Sequence, residues 1–140
     1  MSRGFSLAGL LRVKSLQERA AAEHLSRANI ARQQTEAREH RLRRSLAAND
    51  DVATDTRTLA AVAATRVATR SQLSDLRVLA KVQDAQVEQA RAAHQSARIE
   101  EHGLTKLADA HAQREFARAL QKEQNELDEI AVRRRTEEPK

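Results

Sequence analysis

Thr69–Ala90 reads TRSQLSDLRVLAKVQDAQVEQA. Thr69, Leu73, Leu76, Ala80, Gln83, Val87 and Ala90 follow one another at spacings of four and three, which places them on a single face of an α-helix. That alternation is the signature of a coiled-coil seam, in which one helix needs a second to cover its stripe. Working outward, the helix former content stays high toward the C-terminus, and a second alternation reads Phe116, Leu120, Glu123, Leu127, Ile130, Arg134. The spacing predicts a helix over about 72–135, a rod of roughly 95 Å at 1.5 Å per residue. Gly103 interrupts it and predicts a bend or fray, since an interior Gly costs up to about 1 kcal/mol relative to Ala.

Toward the N-terminus a matching phase runs Leu7, Leu11, Lys14, Glu18, Ala21, Leu25, Ala28, Arg32, Thr35, Glu39, Leu42, Leu46. It predicts a helix over about 5–48, soft because several seam positions are polar. Glu23 with Arg27 and Glu39 with Arg43 are spaced i,i+4 and support it on exposed faces. Between the two patterns, Asn49-Asp50-Asp51 is the best turn, with Asn suited to a helix end and Asp to capping the next. Val52–Arg70 reads as a short helix or irregular segment, because Thr54, Thr56, Thr58, Thr65 and Thr69 lower helix propensity. Ser71 could cap the helix that follows.

Composition excludes most other folds. Of 140 residues, 40% are hydrophobic, but Leu, Ile, Val and Phe number only 28 and Ala 27. There is no Trp, Tyr or Cys, and Gly and Pro total four, too few turn formers for sheets, barrels or α/β folds. The lack of Cys is consistent with a reducing compartment. The longest apolar run, Leu59–Ala64, is far short of the ~20 residues of a membrane span. The sequence therefore reads as a soluble, cytoplasmic, single all-α domain.

Charge supports a chain that folds back on itself. The net charge is +5, with +6 in residues 1–48 and eight acids against four bases from Glu100 to Glu129. Pairing 5–48 antiparallel with roughly 85–130 sets the basic segment beside the acidic one. The predicted fold is a long antiparallel two-helix coiled-coil hairpin, with a short irregular or helical segment at its turn.

Sites for chemistry are sparse. His24, His40, His94, His102 and His111 form no convergent set; His111 and Glu115 have i,i+4 spacing without a third ligand. No nucleophile elbow or glycine-rich loop is present, and a two-helix rod offers no cleft to desolvate a carboxylate. No enzyme activity, cofactor, metal or small-molecule substrate is expected. Arg38–Arg44 (R-E-H-R-L-R-R) and Arg133, Arg134 and Arg135 could meet phosphates, but neither Phe lies near them and acids are interspersed, so nucleic-acid binding is not favoured. Leu42 and Leu46 fall near Leu73, Leu76 and Leu79 at the turn end. Either residues 52–70 fold over them, or with Arg38 they form a docking patch for a protein partner.

The C-terminal Leu127-Asp128-Glu129-x-Ala131-x-x-Arg134, with the opening Phe5-Ser6-Leu7-x-x-Leu10-Leu11-x-Val13 and Ala20-Ala21-Ala22, resembles the FliJ family of flagellar export proteins. The family pattern begins with Glu where this chain has Gln124. The resemblance implies a coiled-coil stalk, similar in shape to that of rotary ATPase γ subunits, in the flagellar type III export apparatus. It implies partners in the export ATPase ring, the cytoplasmic domain of the membrane export gate, and export chaperones. It implies a place at the inner face of the cell membrane, at the flagellar base. Arg133, Arg134 and Arg135 would then meet the ATPase ring, and Arg38, Leu42, Leu46, Leu73 and Leu76 the gate. The heptads alone support equally a generic coiled-coil scaffold or adaptor, including a homodimer.

Overall fold

The computed structural model describes residues 3–48 and 55–137, with side chains from residue 6 onward. It contains two helices, α1 (Arg3–Ala48) and α2 (Thr56–Glu137), packed as an antiparallel hairpin with no strand among the described residues. The turn at Asn49-Asp50-Asp51 lies outside the described residues.

The described residues group into two compact units. In the unit Gln17–Ala97, Arg32 donates to Asp84 at 2.5 Å, Glu18 meets His94 at 2.8 Å, and Arg77 approaches Glu39 at 3.9 Å. Each pair of numbers sums to between 112 and 116, which fixes an antiparallel register. The seam is buried at Thr35, Thr69, Leu73, Ala80, Val87 and Ala90, all at positions of the sequence-derived phases. Small residues dominate it, and no large side chain is fully buried. Thr35 and Thr69 are accommodated because each hydroxyl donates to the carbonyl four residues earlier, of Ala31 and Thr65 respectively.

In the unit formed by Met1–Leu16 and Arg98–Lys140, Lys14 donates to Glu100 at 2.8 Å, pairing basic α1 with acidic α2 as the charge pattern predicts. Half-buried positions on α2 here are Glu101, Leu104, Thr105, Ala108, Ala110 and His111. From Ala112 to Glu137 every residue is exposed.

Three sequence expectations are corrected. Among the described residues no separate helix lies between α1 and residue 70, since α2 begins at Thr56 and runs without a break. Its cap is Asp55, whose carboxylate accepts from the Thr58 amide at 2.7 Å, and Ser71 lies inside the helix. Alanine-rich surroundings hold the Thr-rich segment helical, and Thr65 satisfies its hydroxyl on the Ala61 carbonyl at 2.9 Å. Second, α1 pairs with residues ending near 111, and not with 85–130. Placing 56–70 inside α2 moves the reversal toward the N-terminus, and in an antiparallel pair each residue of that move changes the sum of partnered numbers by two. Third, Gly103 does not fray the helix: it is helical, with no positive φ.

Two outcomes are expected. A Cβ at exposed Gly103 meets nothing within 4 Å. Gly103→Ala should therefore stabilise the hairpin by up to about 1 kcal/mol, read as a raised midpoint in thermal melts followed by circular dichroism. Hydrogen bonds from Thr58 hold the Asp55 carboxyl below its ordinary range. That capping contribution is present above the unfolded-state value and lost as pH falls through the lower folded value. Protection of the amides at residues 56–59, measured relative to their intrinsic exchange rate at each pH, should fall on acidification in the wild type, and much less in Asp55→Asn, which keeps the cap without the charge.

Candidate protein-docking surfaces

A groove of about 450 Å³ opens beside the seam in the unit Gln17–Ala97, lined by Arg38, Arg41 and Leu42 of α1 and by Gln72, Asp75, Leu76 and Leu79 of α2. Its geometry follows from helical periodicity. Leu42 and Leu76 occupy seam positions and are half-buried, while Arg38, Arg41, Gln72 and Asp75 flank them on the solvent side. Leu79 stands three residues beyond Leu76 and is 41% exposed, widening the apolar floor toward water. The result is a shallow apolar strip edged by two guanidinium groups and one carboxylate, a shape suited to an extended or helical peptide rather than to a small molecule.

The five residues expected to form a docking patch here divide. Arg38, Leu42 and Leu76 line the groove together. Leu46 is half-buried further along the seam. Leu73 is 6% exposed and sits between the helices, so it holds them together and is not free to meet a partner. Leu79, which the sequence also placed at the turn end, lines the groove, and Arg41, Gln72 and Asp75 join it without having been singled out for this patch. The signal for them is their place one helical step beside the seam, at 41 next to 42 and at 72 and 75 next to 73 and 76. Segment 56–70 does not fold over the leucines, because it extends α2.

Arg133, Arg134 and Arg135 lie in the exposed last turns of α2. Arg133 pairs with Glu129 at 2.7 Å within the helix, and Arg134 and Arg135 face the negative end of the helix dipole. They belong to an all-exposed segment whose described ion pairs stay within α2: Glu115 with Arg118 at 3.2 Å and with His111 at 3.9 Å, besides Arg133 with Glu129.

Elsewhere the polar seam contains Arg32, whose guanidinium is held protonated more firmly by its hydrogen bond to Asp84. No group of three or more potential metal ligands occurs among the described residues. No described helix is long and apolar enough to cross a membrane. No protein-family model matches the chain, and no curated protein or solved structure does.

Separating floor from core gives a direct check. Leu73→Ala should cost about 2–3 kcal/mol by leaving a gap in the seam, whereas Leu79→Ala should cost under about 1 kcal/mol. Urea unfolding followed at 222 nm distinguishes the two, and equal losses would remove Leu79 from the accessible surface.

Proposed function

We propose that this chain is a coiled-coil stalk of the flagellar type III protein export apparatus, acting as an adaptor and not as an enzyme. It links the export ATPase ring to the cytoplasmic domain of the export gate at the inner face of the cell membrane, and promotes export of flagellar subunits. The carrying observation is that a minimal two-helix hairpin presents two surfaces it does not itself cover. One is the groove at Arg38, Leu42, Leu76 and Leu79; the other is the exposed end of α2 with Arg133, Arg134 and Arg135. An adaptor needs two such surfaces and little else. The terminal motifs that resemble the FliJ family supply the identity of the partners.

In this mechanism the arginines of the α2 end meet acidic surfaces of the ring, a contact that weakens with added salt because exposed charges are screened within about 8 Å at physiological ionic strength. The groove takes an apolar segment of the gate, with Arg38 and Arg41 selecting acidic flanks. Unloaded export chaperones are a further partner class for the same hairpin.

Pull-down of the purified chain against the export ATPase and the gate's cytoplasmic domain tests the proposal. Arg38→Glu with Leu79→Asp should abolish gate binding and spare ATPase binding. Replacing Arg133, Arg134 and Arg135 by Ala should do the reverse, with helicity unchanged in both. Failure of the wild-type chain to bind either partner would sink the export role and leave a generic scaffold.

A further inference from the structure

The strip of α2 that faces α1 changes character at residue 111. Continuing its phase beyond Leu104, Ala108 and His111 would bring up Glu115, Arg118, Lys122, Asn125 and Glu129, all polar. The apolar residues have stepped onto an adjacent face, because Leu104, Ala108, Ala112, Phe116 and Leu120 are spaced by four throughout. Such a run of fours is a stutter, which rotates a stripe out of the seam it began in. From Phe116 onward the new stripe reads Phe116, Leu120, Glu123, Leu127, Ile130, Arg134, flanked by Ala112, Ala117, Ala119 and Ala131. Phe116 is 68% and Leu127 65% exposed, and Leu120 and Ile130 are also open to water. A coiled-coil stripe stands here on 26 residues that no described residue covers.

Apolar matching and charge point to a second copy of the chain, laid antiparallel. Pairing the stripe in parallel with another copy of itself would set Glu123 on Glu123 and Arg134 on Arg134, like charges in the seam, so a parallel pair is disfavoured. An antiparallel pair in which partnered residue numbers sum to 243 sets Phe116 on Leu127, Leu120 on the stem of Glu123, and Asp109 beside Arg134. It also sets Glu129 on Arg114, while Asp128 falls beside Glu115. Asp109 and Arg134 are both exposed and able to meet.

We propose that residues 112–137 of α2 are a self-docking helix, through which two copies of this chain join antiparallel with Phe116 of one copy packed on Leu127 of the other. The pairing covers all four large apolar residues of the stripe twice over. It also occupies the surface that the export reading offers to the ATPase, so self-pairing and ring binding exclude each other. The self-pairing does not depend on that reading.

Sedimentation equilibrium of the full chain should show a reversible monomer–dimer equilibrium, and Phe116→Asp with Leu127→Asp should make it monomeric with its helicity retained. Because the chain lacks cysteine, Phe116→Cys and Leu127→Cys can be used as two singly labelled proteins. Mixed under oxidation, they should form a disulfide between the two variants, while neither cross-links to itself, because like positions lie 11 residues, about 16 Å, apart along the axis. Asp109→Arg or Arg134→Asp alone should each weaken the dimer on the order of fivefold, and the two together should restore it. A chain monomeric at every concentration, or either cysteine variant cross-linking to itself, overturns the inference. A monomer that binds the ATPase overturns it while leaving the export reading intact, and a dimer that binds neither export partner does the opposite.

Discussion

Both helices depend on a narrow stripe of small side chains. Ala80, Ala90, Val87 and Leu73, joined by the polar Thr35 and Thr69, are the residues buried among those described. A helix of this composition has no compact core to fold around, so its order comes from a partner lying along it. The stabilisation is spread thinly, a small amount at each turn, and is supplemented across the interface by Lys14 with Glu100, Arg32 with Asp84 and Glu18 with His94. Where the partner ends, the stripe turns to another face. That one constraint sets the hairpin, the groove beside it and the uncovered end of α2.

Most of the pairing was legible from spacing alone. The alternation from Leu7 to Leu46 and from Thr69 to Ala90 names the positions that the structure buries or half-buries, including the polar members Thr35, Glu39 and Gln83. The start of α2 was not legible. Five threonines argue against a helix at 54–69 on propensity, yet propensity is weak beside the capping by Asp55 and the packing of Thr69 into the seam. The end of the pairing was hidden for a different reason. Phe116, Leu120, Leu127 and Ile130 have the same periodicity as a covered stripe, and periodicity says that a face is apolar without saying what covers it.

The docking residues show the same division. Seam position and surface position differ by a single residue, so Leu76 and Asp75, or Leu42 and Arg41, are distinguished only once the register is known. Leu73 illustrates the cost of lacking it: an apolar residue near the turn looks available for a partner until α1 is placed against it. The arginines at 133–135 carry two explanations at once, as complements to a helix end and as contacts for an acidic surface, and both follow from the same exposed geometry.

An alanine-rich stripe is nearly indifferent to sliding, because one alanine fits where another did. The cross-helix charges remove that indifference. If α2 slid by one heptad toward larger numbers, Arg32 would leave Asp84 for Arg91, and Glu39 would leave Arg77 for Asp84. A slide the other way would set Arg32 against Arg77. Each displaced alignment thus brings at least one like-charge encounter, and the few polar residues in the stripe act as teeth that let the two helices mesh at one offset.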